Sequence, residues 1–371
     1  MRYLILSLLL VCSFANAAEN LVIVTIDGMR WQDVFRGADD SLMKNKKFNH
    51  DTAETEKLFG GKTRAERRQK LMPFVTHTMQ NEGVIIGDRD AGSQMTVTNP
   101  WWFSYPGYNE MLTGQADPKV DSNDKIPNKN VTFFEWLNKN KGFQNNIAVF
   151  GSWDAFPYII NRQRSGLRVN AGFEASEGYD ASEEVKVINK LEKKLVSPWP
   201  SERMDSMTFP LAKDYLLKQK PRVLYIAFGD TDEFAHEGNY DNYLRAAHQA
   251  DSDIAELWRT LQSMPQYAGK TDLIVTVDHG RGRTAKDWRH HASLKAVGIY
   301  PNGKKMFPNG IPGSNEIWLA AMGPDVKKLG VLKTQKPYEQ NQVAATALML
   351  LGMDPAKFKH NIGAPITAIK K

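Results

Sequence analysis

The chain has 371 residues and a single cysteine, Cys12, which falls within the first seventeen residues. Without those residues no thiol is left, so neither an internal disulfide nor a thiolate metal site can form. Beyond the N-terminus there is no apolar run long enough to cross a bilayer as a helix. Strong charge of one sign is missing too: 48 Lys and Arg stand against 42 Asp and Glu. Loss of Arg2 with the leader leaves 47 against 42, a mild excess that suits anionic small molecules or surfaces and does not mark a nucleic-acid binder. Internal repeats are absent, and no stretch has the composition of a linker.

The leader itself is informative. Arg2, the apolar segment from Leu4 to Val11 and Ala15-Asn16-Ala17 follow the order of a secretory signal peptide, with cleavage expected after Ala17. Residues 1–17 are therefore read as a signal and 18–371 as one elaborated domain without a transmembrane anchor. The protein is expected to be exported, and periplasmic if its source is Gram-negative.

Six short apolar runs follow: LVIVTI at 21–26, GVIIG at 83–87, NIAVF at 146–150, RVLYIAF at 222–228, DLIVTV at 272–277 and EIWLAAMG at 316–323. Such runs read as strands buried on both faces. Helical patterns lie between them around 67–81, 131–141, 183–195, 240–264 and 339–351. The alternation predicts an α/β fold: a doubly wound, mostly parallel sheet flanked by helices, with small cap insertions. The charged segment 41–70 is expected to be a solvated excursion or flexible loop, or else a cap over the site, and 163–179 and 197–200 to be connections or a small cap.

Polar residues gather after these strands. Asp27 follows the first run, Asp278 and His279 follow DLIVTV, and FGDTDEFAHEG at 228–238 closes RVLYIAF. Ligands of open α/β sheets bind beyond the carboxyl ends of strands. Each stretch alone could be a turn or helix cap; three together converge on one sheet edge. Asp232 and His236 would share one side of a helical turn. With Asp27, Asp278, His279 and either His290 or His291, they make a mixed nitrogen and oxygen set that suits zinc and tolerates manganese or iron. Ser104, in NPWWFSYPGYNEMLTG at 99–114, precedes a predicted helix whose free N–H groups favour an anion.

In this order the motifs resemble the alkaline phosphatase superfamily, most closely its type I phosphodiesterase/nucleotide pyrophosphatase and sulfatase-like branch. The resemblance spans about residues 21–323. It implies two divalent metal ions, of which zinc is expected. One would be held by Asp232, His236 and His291, the last chosen from W-x-x-H, with His290 as the fallback. The other would be held by Asp27, Asp278 and His279, with Ser104 as the bridging nucleophile. Asn109 is expected to bind phosphoryl oxygens. The implied reaction is hydrolysis of a small phosphate ester through a phosphoseryl intermediate, with diesters favoured over monoesters; phosphoryl or phosphoethanolamine transfer is the alternative. A sulfatase fits poorly, because Tyr108 stands where the formylglycine signature has Arg. Gly107 departs from T-F-P-N-H-Y, which has Asn there. Arg30, Arg281 and Arg283 are the arginines placed to meet the extra charge of a monoester. Trp101, Trp102, Phe103, Tyr105 and Tyr108 offer either a stacking platform or core packing.

Overall fold

A computed structural model describes residues 18–371; the expected signal peptide lies outside the described residues. The strands are β1 (Asn20–Ile26), β2 (Gly83–Ile86), β3 (Met95–Thr96), β4 (Ile147–Gly151), β5 (Arg168–Ala171) and β6 (Val223–Phe228). They continue as β7 (Thr271–Thr276), β8 (Glu316–Ile317), β9 (Leu319–Met322), β10 (Gly330–Val331) and β11 (Tyr338–Glu339). Eight form one sheet in the order β10-β2-β9-β7-β1-β6-β4-β5, and β11-β3-β8 form a small second one. All pairings of the large sheet are parallel except those of β9, which runs antiparallel to β2 and β7.

Every residue of β1, β6 and β7 is buried, which is why their sequences are continuously apolar rather than alternating. β1 lies between β6 and β7, with Ile26 opposite Phe228 and Thr25 opposite Thr276. This register brings the chain after all three strands out at the same edge, where the sheet order reverses direction. The strand expected over 316–323 is divided at Trp318, whose indole N–H donates to the Met29 carbonyl at 3.1 Å. Its two halves serve the two sheets.

Three expectations change. The segment 41–70 is not a solvated excursion: it carries the helices Asp40–Met43, Thr52–Phe59 and Arg64–Leu71, capped by Asp39, Asp51 and Thr63. Its charges face outward, while Met43, Phe48, Phe59 and Leu71 are buried. The helix expected over 67–81 is interrupted at Pro73, which removes a donor; a π-helical turn, Phe74–Met79, resumes it, with Asp251 accepting from the Phe74 and Val75 N–H groups. Finally, 163–179 supplies β5, an edge strand, and an unanticipated helix spans Asp205–Gln219.

The main core surrounds the large sheet. A separate small one contains Phe103, Ala292, Ala296, Val297, Phe307 and Ile311, so 292–311 forms a small cap with its own core. Among the described residues no helix is long and apolar enough to cross a membrane.

Candidate active site

The common edge of β1, β6 and β7 gathers the predicted polar residues. Asp27 leaves β1 directly. Asp232 and His236 lie one turn apart on the helix Asp230–Glu237, which starts two residues after β6. Asp278 and His279 follow β7, and His291 arrives from the loop leading to the cap. Ser104 opens the helix Ser104–Thr113, every residue of which is buried.

Two groups of potential ligand atoms lie within 4.8 Å of one another: Asp232, His236 and His291, and Asp27, Asp232 and His279. In the first, His236 Nε2 is 3.1 Å from Asp232 Oδ2 and 3.0 Å from His291 Nε2. In the second, His279 Nε2 is 3.3 Å from Asp27 Oδ1 and 3.7 Å from Asp232 Oδ1. Asp278 adjoins the second group, its Oδ2 lying 3.3 Å from His279 Nε2. Ser104 Oγ is 3.2 Å from the same nitrogen.

The surroundings fix these side chains. His279 Nδ1 lies 2.8 Å from the Gly280 carbonyl and His291 Nδ1 lies 3.2 Å from that of Trp102. A carbonyl can only accept, so both Nδ1 atoms carry the proton when the rings are neutral, and both Nε2 lone pairs face the carboxylates. The two rings stack with centroids 3.7 Å apart. The Tyr108 hydroxyl donates to Asp27 Oδ2 at 2.8 Å, and the Gly28 N–H to Asp278 Oδ1 at 3.1 Å. Arg281, fully buried, donates to Asp232 and to the carbonyls of Trp288 and Arg289.

A cation fits this arrangement on two grounds. Asp27 Oδ1 and Asp278 Oδ2 are buried and have no hydrogen-bond partner. The Nε2 atoms of His236 and His291 converge at 3.0 Å beside Asp232, which brings three potential ligand atoms within 4.8 Å of one another. The electrostatics agree. Burial, followed by the Asp27 charge, raises Asp278 well above the usual carboxylate range. Burial lowers His279, but Asp278 and Asp27 outweigh it and push the ring up to about 9. Burial and then His279 hold His291 well below the ordinary histidine value. Crowded acids that would otherwise take up protons are the environment in which a dication changes the charge balance most.

The approach to Ser104 is braced from behind. The buried Glu110 carboxylate accepts from the N–H and hydroxyl of Thr98 and from the N–H and amide of Asn99. Asn99 Oδ1 then accepts from the N–H groups of Trp101 and Trp102. Trp102 has φ 61°, a left-handed conformation that costs free energy for a bulky residue, and in it the carbonyl meets His291 Nδ1.

Some expected residues fall elsewhere. Asn109 is engaged away from Ser104: its Oδ1 accepts from Asn128 and Asn130, and its amide donates toward the Gln115 carbonyl. The amide beside Ser104 belongs to Asn123, whose Oδ1 accepts from the Tyr105 N–H at 2.9 Å. No local pattern marked Asn123; only the fold brings it there. His290, the fallback ligand, packs against Tyr300 and Phe307 of the cap, and it is His291 that meets Asp232 and His236. Of the five aromatics, Phe103, Tyr105 and Tyr108 are buried, so only the partly exposed Trp101 and Trp102 remain open to a ligand. Arg30 pairs with Asp33, Arg281 with Asp232 and Arg283 with Glu316.

Comparison with known proteins follows the same lines. None of the curated proteins matches the chain. Among solved structures, the wild-type alkaline phosphatase PafA is 12% identical with a TM-score of 0.56, over 96% of this chain and 99% of that one. A 2-O GAG sulfatase is 12% identical with a TM-score of 0.53, over 91% and 71%. Ps i-CgsB in complex with k-i-k-neocarrahexaose is 14% identical with a TM-score of 0.52, over 94% and 75%. At these identities the likeness is one of fold, the α/β architecture of the alkaline phosphatase superfamily. The profile of one of its families, type I phosphodiesterase / nucleotide pyrophosphatase, matches residues 21–298, and to that family the chain belongs.

Proposed function

We propose that the protein is an exported phosphodiesterase that attacks phosphorus with Ser104. The observation that carries this reading is the position of Ser104 Oγ, 3.2 Å from His279 Nε2 and at the N-terminus of a buried helix, where the carboxylates and imidazoles converge. Asp232, His236 and His291 would hold one divalent cation, and Asp27, Asp278 and His279 a second. Two such ions, with zinc the metal suited to the donors, would stabilise the serine alkoxide and the departing oxygen.

The protein's own groups do the rest. Ser104 Oγ forms the new P–O bond as the bond to the leaving alkoxide breaks, and the proton Ser104 gives up passes through solvent to that alkoxide, which departs as the alcohol. Water then adds to phosphorus as the Ser104 O–P bond breaks, and one of its protons restores the hydroxyl. Asn123 Nδ2 and the Ser104 N–H are the donors available to the phosphoryl oxygens, since the Tyr105 and Gly107 N–H groups are already engaged. Tyr108 and the Trp102 carbonyl fix the orientations of Asp27 and His291. Preference for a diester rests on Arg30, Arg281 and Arg283: each is engaged by a carboxylate, so none of these three is free to meet the second negative charge of a monoester.

The test is hydrolysis of bis-p-nitrophenyl phosphate against p-nitrophenyl phosphate by the zinc-loaded protein and by Ser104→Ala. Diester turnover lost in the variant is expected. A preference for the monoester would overturn the substrate assignment, and a fully active Ser104→Ala would overturn the mechanism.

A further inference from the structure

The cap at 292–311 exposes large apolar side chains on a stretch that carries no acid. Leu294, Ile299 and Met306 are exposed by 55%, 59% and 57%. Lys295, Lys304 and Lys305 are exposed beside them in sequence, and none pairs with a carboxylate among the described residues. From Trp288 to Asn315 the sequence contains no Asp or Glu at all. Single exposed apolar residues need no explanation. Three on one acid-free module of twenty residues, interspersed in sequence with three unpaired lysines, make its exposed side chains both apolar and cationic.

The module is also fixed to the rim of the active site. The Tyr300 hydroxyl donates to the His291 carbonyl at 2.8 Å, and Ser293 donates through its N–H to the Trp101 carbonyl at 3.0 Å. Phe103, the residue before Ser104, belongs to the module's core. The module is thereby tied to the segment just before Ser104 and to His291.

We propose that the cap docks the protein on an anionic lipid surface, with Leu294, Ile299 and Met306 entering the headgroup region and Lys295, Lys304 and Lys305 facing the lipid phosphates. Charge complementarity selects this occupant: shallow apolar insertion combined with unpaired cations is the chemistry of interfacial binding. A second exposed apolar strip, Val187, Leu191, Leu195 and Val196, also carries exposed lysines without an ion pair, Lys190, Lys193 and Lys194, but it is not free of acid. There Glu183 and Glu184 accompany the lysines, and Glu183 pairs with Lys186 at 2.6 Å. Docking does not require catalysis, so it stands apart from the hydrolase reading.

The experiment is co-sedimentation of the full-length mature protein at low ionic strength with vesicles of phosphatidylcholine, or of phosphatidylcholine and phosphatidylglycerol in equal parts. Preferential binding to the anionic vesicles is expected, weakening with added salt. Each lysine near such a surface is worth about fivefold in partitioning, so Lys295→Gln with Lys304→Gln and Lys305→Gln lowers binding on the order of a hundredfold. Leu294→Ser with Ile299→Ser and Met306→Ser lowers it as well, whereas Val187→Ser with Leu191→Ser and the Ser104→Ala variant bind like the parent. Melting temperatures establish that each variant is folded. Equal binding of the parent to both vesicles, undiminished binding by the folded cap variants, or a loss confined to Val187→Ser with Leu191→Ser would overturn the proposal.

Discussion

Gly107 separates the nucleophile helix from the strand-end acid by the thickness of one hydrogen. A Cβ at this position would lie 2.4 Å from the Asp278 carbonyl oxygen and 3.0 Å from its carbon. Neither side can give way easily. The helix Ser104–Thr113 is buried along its whole length, and the Asp278 carbonyl accepts from the Gln340 amide at 2.6 Å. Ala at 107 must therefore push the helix and the β7 end apart by roughly 0.8 Å to restore an ordinary contact, an overpacking cost of about 1–3 kcal/mol. At roughly 2–4 °C per kcal/mol, the melting temperature should fall by about 2–12 °C. The effect on rate should be larger in proportion, since a displacement of about 1 Å between Ser104 and the residues around His279 can cost on the order of a hundredfold. Gly107→Asn, which restores the amide of the family pattern T-F-P-N-H-Y, should be worse than Gly107→Ala despite the added donor. Thermal melts and diester turnover well below the melting temperature separate the two effects. A Gly107→Ala protein that melts and turns over like the parent would refute the argument, because the gap would then not be what seats Ser104.

Glu110→Ala should destabilise the protein by about 3 kcal/mol, leaving four donors on Thr98 and Asn99 without an acceptor, and weaken metal affinity about 10–100-fold through Asn99, Trp102 and His291; unchanged zinc affinity in titration calorimetry would break that chain of contacts. Removing bound metal should lower the melting temperature, since about 4 kcal/mol is lost where the free ion stood a thousandfold above Kd; identical melts before and after chelation would dismiss the cation. Asp272 is pushed up to about 7 by burial and by Asp325. Its folded pKa lies above the unfolded value, so the stability it contributes is complete below about pH 4 and lost as pH rises through 7. Asp272→Asn should flatten the decline of urea stability between pH 5 and 8 by on the order of 2–4 kcal/mol, and parallel curves would refute this. The Ala18 N–H donates to Asp325 beside Asp272, so a chain beginning at Ala18 would place an ammonium there and should melt above one bearing a single extra residue.

The parts of this molecule that could be read from its sequence are those where one physical demand acts alone. β1, β6 and β7 are buried on both faces, and that demand writes a continuous apolar run whose end marks where a ligand can be met. The ends carry Asp27, Asp230 to His236, and Asp278 with His279, and parallel pairing in register does the rest. Where two demands compete the signal fades. β5 is an edge strand that carries Arg168 and Asn170, so its four residues read as a connection. The helices over 41–70 bury only a few apolar side chains each and advertise their solvent face instead.

The engagement of Asn109 away from Ser104 has a geometric cause that applies to any residue assigned by nearness in sequence. Five positions along an α-helix correspond to a rotation of roughly 140°, so a side chain at 109 leaves the axis almost opposite to that of Ser104. Asn123 comes from a loop nineteen residues away in sequence and lies over the helix N-terminus because the Tyr105 N–H has no partner within its own helix. The same reasoning separates two adjacent histidines. His290 turns toward Tyr300 and Phe307 because the cap needs aromatic packing, which leaves His291 to stack on His279. A donor's place in such a site is thus set by which unsatisfied group the fold presents to it, and chain spacing predicts it only within a single helical turn or at the end of a buried strand.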